Sequence, residues 1–122
     1  MITLKEIDPS SPFLEQLGEE EGPIVLINTF VFPDGTRDAA LDAWTKDATF
    51  MLAQPGCVST QLHEGIGSSH TMVNVAVWES TAALRTAFSQ PRFQAGLAEY
   101  PDGSVSLPHI LRKLAVEDIC GD

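Results

Sequence analysis

The chain has 122 residues, 43% of them apolar, which predicts one globular domain whose core needs neither disulfides nor a metal. Seven Lys and Arg residues against 17 Asp and Glu residues give a formal net charge of −10. This acidic balance argues against a nucleic-acid partner and against binding to an anionic membrane surface, because both need clustered cationic side chains.

Residues 1–22 are predicted to form an N-terminal arm. The segment Asp8–Pro12 is rich in turn-forming residues and argues against a long regular element. After it, Phe13, Leu14 and Leu17 have the spacing of one short amphipathic turn, which we expect to dock on the domain or on a partner chain.

The opening residues and the cysteines favour a reduced, cytoplasmic setting. The chain turns acidic within its first six residues, Met1–Glu6, and this start does not resemble a signal peptide. The longest strongly apolar run, residues 24–32, is too short to span a membrane. Cys57 and Cys120 have no nearby Cys or His partner, so neither a zinc site nor a disulfide framework is indicated.

Beyond the arm, strand and helix patterns follow one another along the chain. Runs of β-branched and aromatic residues predict strands, apolar steps of three and four predict helices, and Pro and Gly mark the connections. The predicted elements are a strand from Ile24 to Phe32, a helix from Arg37 to Ala53, a strand from Val58 to Glu64, a strand from Met72 to Glu79, a helix capped by Ser80 and running to about Phe88, a short helix from Pro91 to about Tyr100, and a last strand from His109 to Val116. The first helix is expected to bury Leu41, Trp44, Ala48, Met51 and Leu52.

This order of elements predicts the fold class. A β-α-β-β-α-β order with an extra helical turn before the last strand is typical of the α+β ferredoxin-like arrangement, in which helices cover one face of an antiparallel sheet. We therefore predict an arm at residues 1–22, a ferredoxin-like domain at residues 23–117 and a tail at residues 118–122.

The third predicted strand places two kinds of side chain on its two faces. Val73, Val75 and Val77 alternate with Asn74 and Trp78, so the valines form one apolar stripe. If the helices lie on the other face, the stripe is uncovered, and the same face of a second copy is its simplest cover. The sequence thus predicts a homodimer through the sheet face. The alternative, in which helices cover the valines, would leave a Trp in water.

Two asparagines are the most informative polar residues of the predicted sheet. Asn28 lies among apolar residues on the first strand, and Asn74 lies on the strand expected beside it. A buried, unpaired amide costs about 1–3 kcal/mol, so both side chains must find partners. Two interpretations remain open. Either the amides line an apolar pocket for an aromatic ligand, with Trp78 as one wall, or they have only a structural role and hydrogen-bond to backbone groups.

Other side chains are candidates for the same pocket. Phe30 and Met72 lie on the pocket face of the two central strands and are expected to contact a substrate. His63, which alternates with Gln61 and Ser59, is the best general-base candidate by residue type if its face is the pocket face. Arg92 is a candidate for binding an anionic oxygen, and Tyr100 either caps the pocket or closes a helix. The acidic residues are scattered and have no metal-ligand spacing.

Three sequence segments resemble the antibiotic biosynthesis monooxygenase (ABM) family over about residues 23–117. They are Ile24–Phe30, Gln54–Cys57 and Asn74–Ser80, and Phe88–Phe93 also fits. The resemblance implies a dimeric α/β barrel. Asn28, Asn74 and Trp78 stand where the cofactor-independent anthrone monooxygenases of that family have an Asn, an Asn and a Trp.

That resemblance also implies a chemistry. It would be oxidation of a phenolic or polycyclic, anthrone-like aromatic by O2, with no metal, flavin or other cofactor. Haem-degrading relatives carry a Trp and an axial His where this sequence has Ala87 and Leu97, which argues against haem chemistry. The alternatives are a non-oxidative polyketide cyclase or isomerase, and a small-molecule-binding dimer without catalysis.

Overall fold

The computed structural model describes residues 1–121, and Asp122, the last residue of the expected tail, lies outside the described residues. The strands are β1 (Thr3–Leu4), β2 (Ile24–Val31), β3 (Cys57–Glu64), β4 (Thr71–Trp78) and β5 (Val105–Leu111). The helices are α1 (Phe13–Gln16), α2 (Arg37–Leu52), α3 (Thr81–Phe88) and α4 (Pro91–Gly96), and a 3-10 turn spans Leu97–Glu99.

The strands form one open sheet in the order β1-β5-β2-β4-β3. The pairs among β2 to β5 are antiparallel, whereas β1 adds to the β5 edge as a parallel strand. Without β1, this is the strand order of the ferredoxin-like fold, and the predicted fold class is confirmed.

The helices cover one face of the sheet, and it is the face expected from the sequence. On β4, Met72, Ala76 and Trp78 are buried, whereas Val73 and Val75 on the other face are only half-buried. Trp78 is 1% exposed, so the alternative that left it in water is wrong. Among residues 1–121, no helix lies over the valine stripe, whose side chains stay half-buried.

The last strand differs from its prediction. It runs from Val105 to Leu111 rather than from His109 to Val116, and Pro108 lies inside it opposite Asn28. The N–H and carbonyl of Ile110 bond to the Gln16 side chain at the sheet edge, so the nitrogen of Pro108, two residues earlier, faces the same edge. Pro108 therefore removes no hydrogen bond from the β2–β5 ladder.

The N-terminal arm docks on its own domain. Phe13 and Leu17 are 1% and 5% exposed and pack with Trp78 and Leu84, whereas Leu14 is 61% exposed. The Gln16 carboxamide donates to the carbonyl of Ile110 and accepts from its N–H, both at 2.9 Å. The Gln16 side chain thus satisfies the backbone N–H and carbonyl of Ile110 at the edge of β5, beyond the point where β1 ends.

No helix in the part of the chain that the structure describes combines the length and the apolarity needed to cross a lipid bilayer.

Candidate functional site

The buried hydrophobic side chains of residues 1–121 fall into two clusters, and one cavity between the sheet and the helices is bordered by both. One cluster includes Phe30 and Tyr100, and the other includes Phe13 and Trp78. The space between the lining atoms, including the part open to solvent, is about 890 Å³.

Asn28 and Asn74 lie directly opposite each other on β2 and β4, and both border the cavity. The hydroxyl of Ser106 donates to Oδ1 of Asn28 at 2.7 Å, and the hydroxyl of Thr60 donates to Oδ1 of Asn74 at 2.7 Å. Within residues 1–121 neither Nδ2 group has an acceptor, so both carboxamides keep N–H donors for the cavity. A polar row thus crosses four strands at the middle of an otherwise apolar site.

The two hydroxyl partners come from diagonal positions of the ladder. Ser106 pairs in register with Phe30, two residues from Asn28, and Thr60 pairs with Ala76, two residues from Asn74. Side chains at such diagonal positions are within reach of each other. Because each hydroxyl holds the amide oxygen, it fixes which end of the carboxamide is available to a ligand.

Aromatic and aliphatic side chains make up the walls. Phe30 and Tyr100 stack with ring centroids 6.0 Å apart, and Trp78 stands four residues along β4 from Asn74. The arm contributes Phe13, whose ring meets Phe88 edge-on at 5.4 Å. Further apolar side chains at the cavity include Ile2, Leu4, Leu26, Trp44, Met51, Leu84, Phe93 and Leu97.

One carboxylate borders the same cavity. Asp47 lies on the inward face of α2, which it shares with Ala40 and Ala43, and is 9% exposed. Burial raises the pKa of Asp47 to about 6, while a hydrogen bond with the Tyr100 hydroxyl lowers it in part. Burial and the nearby Asp47 carboxylate raise the pKa of Tyr100 well above its usual value, so the phenol keeps its proton.

Sequence reasoning missed Asp47, Thr60 and Ser106. The buried spine of α2 is Ala40, Ala43 and Asp47, whereas the expected face was built on larger side chains, one of which, Leu52, is 52% exposed. The spacing of Asp47 from the two alanines was the available signal. The two hydroxyls needed the strand register, which the sequence did not supply.

His63 does not belong to this site, and its expected placement is wrong. It pairs with Val73 and therefore lies on the uncovered face of the sheet, where its Nδ1 is 3.3 Å from the Val73 carbonyl oxygen. A register shift between Cys57 and Ser59 puts Thr60 and Leu62, rather than Ser59 and His63, on the face of the cavity.

Two further candidates lie near the cavity without bordering it. Met72 is 5% exposed and packs in the Phe30 cluster, and its other side meets a cleft beside the β3–β4 hairpin. Arg92 is exposed on α4 and borders a surface cleft next to Asp47. Within residues 1–121, therefore, neither Met72 nor Arg92 lines the cavity, and their contacts with a substrate stay a prediction.

The cavity also reaches the thiol of Cys57. Burial raises the pKa of this thiol, so it is a neutral, apolar part of the wall. Among the described residues, His, Cys, Asp and Glu do not gather in any group that could hold a metal ion.

Fold and site together define a small ferredoxin-like α+β protein with an amide-lined apolar cavity between sheet and helices. The sequence profile of the family described as "Antibiotic biosynthesis monooxygenase" (ABM) matches residues 23–99. The chain belongs to this family.

Solved structures resemble the chain over most of their length. A candidate monooxygenase from Shewanella loihica PV-4 is 34% identical, with a TM-score of 0.67 over 81% of this chain and 100% of the other. SnoaB, a cofactor-independent oxygenase from Streptomyces nogalater, is 24% identical, with a TM-score of 0.69 over 80% and 99%. Rv0793 from Mycobacterium tuberculosis is 20% identical, with a TM-score of 0.65 over 79% and 99%. No curated protein sequence matches the chain significantly.

Proposed function

We propose that this chain is a cofactor-independent monooxygenase that oxidises a phenolic or polycyclic, anthrone-like aromatic with O2. The observation that carries the proposal is the pair of facing amides, Asn28 and Asn74, with N–H donors directed to an apolar cavity. Membership of the ABM family and the likeness to SnoaB, an oxygenase without a cofactor, support it.

The reaction needs an electron-rich substrate rather than a bound redox group. A substrate methylene gives up two hydrogens, one atom of O2 becomes the new carbonyl oxygen, and the other leaves as water. Negative charge develops on the substrate oxygen as its carbanion forms. Donors from Asn28 and Asn74 are proposed to bind this oxygen and to stabilise the charge in a site of low polarity.

The walls of the cavity are proposed to bind and orient the ring system. Trp78 offers a flat apolar surface at one side, and Phe30 with Tyr100 offers another. Such aromatic surfaces suit a planar polycycle. They also exclude water, which favours direct reaction of the substrate anion with O2.

The uncovered sheet face supports a homodimer as the working form. Val73, Val75 and Val77 form a half-buried apolar stripe on the face opposite the helices. A stripe of this kind in the middle of an open sheet is stabilised when the same face of a second copy covers it. We infer a two-fold dimer closed through this face.

Oxygen uptake by metal-stripped protein given dithranol tests the function. We expect uptake above the uncatalysed rate, and we expect Asn74→Ala to lower turnover at least tenfold, which is about 1.4 kcal/mol of barrier. Asp42→Ala, at an exposed position of α2 away from the cavity and from the valine stripe, is the control and should leave turnover unchanged.

The opposite results would select between the alternatives. Product formation under strict anaerobiosis would point to a cyclase or isomerase. Ligand binding without conversion would point to a binding dimer. Uptake that is equal in the wild type and in Asn74→Ala would show that the amide pair does not act in catalysis.

A further inference from the structure

We propose that Asp47 is the proton acceptor of this enzyme, taking a proton from the substrate in the cavity and passing it to solvent through a cleft on its other side. This inference rests on the proposed function and adds a catalytic residue to it.

The position of Asp47 is the first reason. Its side chain borders the amide-lined cavity on one side and a polar surface cleft on the other. Lys46, Arg92 and Glu99 line that cleft together with the backbone around Gly96. A carboxylate between a ligand cavity and solvent can accept a proton on one side and lose it on the other, whereas a carboxylate closed on all sides would have to return the proton to the substrate.

The way the carboxylate is held is the second reason. A Cβ atom on Gly96 would lie 2.3 Å from Oδ1 of Asp47, so α4 comes close to the carboxylate only because residue 96 is a glycine. Tyr100 lines the same cavity as Asp47, and its phenol interacts with the carboxylate, which lowers the pKa of Asp47 in part. Contacts from two sides fix the carboxylate at the edge of the cavity, as a base needs.

The proton-transfer step balances without a further reagent. The C–H bond of the substrate methylene breaks, its electron pair stays on the substrate and delocalises to the carbonyl oxygen, and the proton moves to an oxygen of Asp47. The proposed donors of Asn28 and Asn74 bind the oxygen that gains the charge. Asp47 then releases the proton through the cleft, and O2 reacts with the substrate anion.

Burial and the charged groups around Asp47 set the pKa of its carboxyl group to a value that suits a base. Its pKa is about 6, raised first by burial and then by the charge of Glu99, and lowered by the Tyr100 hydrogen bond and by the charge of Arg92. Lys46, the neighbour on α2, lies 3.9 Å from Glu99. At neutral pH the carboxylate is mostly ionised, and it is a stronger base than an exposed Asp.

Hydrogen–deuterium exchange without oxygen isolates this step from the oxidation. Anthrone is incubated anaerobically with the protein in D2O, and exchange of its methylene hydrogens is followed by NMR. We expect the wild type to accelerate exchange and Asp47→Asn to lower that rate at least tenfold. Asp42→Asn, an exposed position on the same helix, is the matched control and should exchange like the wild type.

A second measurement keeps the inference testable if Asp47→Asn does not fold. The wild-type exchange rate should rise with pH to a plateau with a midpoint near pH 6. Glu99→Gln should move the midpoint down and Arg92→Gln should move it up, because these charges raise and lower the pKa of Asp47. A midpoint that neither variant moves would contradict the inference.

The two proposals fail in different ways. Anaerobic exchange that depends on Asp47 without oxygen uptake would support the base and refute the monooxygenase. Oxygen uptake that depends on Asn74 but not on Asp47 would support the monooxygenase and refute the base. Absence of any exchange above the buffer rate in the wild type would also refute the base.

Discussion

Each asparagine of the site is held by a hydroxyl that donates to its amide oxygen. This contact leaves the N–H groups as the free end of the side chain, and a free donor is what a developing oxyanion needs. Thr60 and Ser106 are therefore positioning residues in this account: they orient Asn74 and Asn28 and contribute no reacting group of their own.

Removing one hydroxyl should weaken turnover without abolishing it. Thr60→Val keeps the shape and deletes the bond to Asn74, so we expect a two- to tenfold loss of kcat, on the order of one hydrogen bond's 0.5–1.5 kcal/mol. The KM of the model substrate should change less than kcat. Thr45→Val on the exposed side of α2 is the control. A Thr60→Val enzyme with wild-type kcat would argue against orientation of Asn74.

Asp47 should also affect stability. The pKa of its carboxyl is 3.8 when unperturbed and about 6 in the fold, so between these values the folded chain holds a proton that the unfolded chain releases. The contribution of Asp47 to the free energy of unfolding therefore falls as pH rises from about 4 to about 6, and stays low above that range.

Chemical denaturation of the wild type and of Asp47→Asn measures this directly. The variant should gain stability relative to the wild type across that pH range, by up to about 3 kcal/mol. A difference between the two proteins that does not vary with pH would mean that Asp47 has an ordinary pKa.

Sequence reasoning succeeded at residues whose position follows from alternation along a strand. Asn28, Asn74 and Trp78 border one cavity because they share one face of two central strands. It failed for His63, because the register shift at Cys57–Ser59 inverts the faces of β3 and no residue pattern announces it. It also missed Asp47, because an acidic residue was not expected on the buried face of a helix.

At the scale of elements, the turn before β3 shows why a glycine is needed at the Pro55-Gly56 step. Gly56 has a φ of +90°, and a Cβ atom there would lie 2.5 Å from the Cβ of Ala83 on α3. Its carbonyl accepts the N–H of Glu79 at 2.8 Å. The glycine thus allows the end of α2, the start of β3 and α3 to meet in one place.

Two glycine substitutions separate backbone strain from close packing. Gly56→Ala adds both a strained φ and a clash, whereas Gly35→Ala, with a φ of +75° and nothing within 4 Å, adds strain alone. We expect Gly35→Ala to cost about 1 kcal/mol of unfolding free energy and Gly56→Ala at least about 1 kcal/mol more. Equal losses in a denaturation experiment would mean that α3 shifts to accommodate the new methyl group.

The element boundaries that the sequence missed have physical causes. Pro108 was expected to precede the last strand, because a proline usually interrupts a ladder, but at the edge position its missing N–H costs no bond. Strand β1, Thr3–Leu4, has two residues and no periodicity to detect. Its pairing with β5 follows from the docking of the arm, which depends on tertiary contacts of Phe13 and Leu17.

At the scale of the whole molecule, the sheet has one covered face and one uncovered face. The helices and the arm enclose the cavity on the first face, so the valine stripe on the second is available to another copy. The ferredoxin-like topology was predictable from element order, because it depends on local patterns. The surface that covers the valine stripe could not be identified in this way, because no local sequence pattern specifies it.

Light scattering at micromolar concentration tests the inferred dimer. We expect twice the mass of the chain for the wild type, and we expect Val75→Asp to give a folded monomer, because a charge in the stripe cannot be buried unpaired. Ile66→Asp, at a residue 93% exposed in the β3–β4 hairpin, is the control and should remain dimeric. A monomeric wild type would remove the basis for a dimer through this face.

Labelled oxygen tests the central claim most directly. Metal-stripped protein is given dithranol under ¹⁸O2, the product is analysed by mass spectrometry, and Asn74→Ala is treated in parallel. We expect a product carbonyl with one labelled oxygen atom, formed at least tenfold more slowly by Asn74→Ala than by the wild type. A product without label, or equal rates of labelling in the two proteins, would contradict a cofactor-independent monooxygenase built on the asparagine pair.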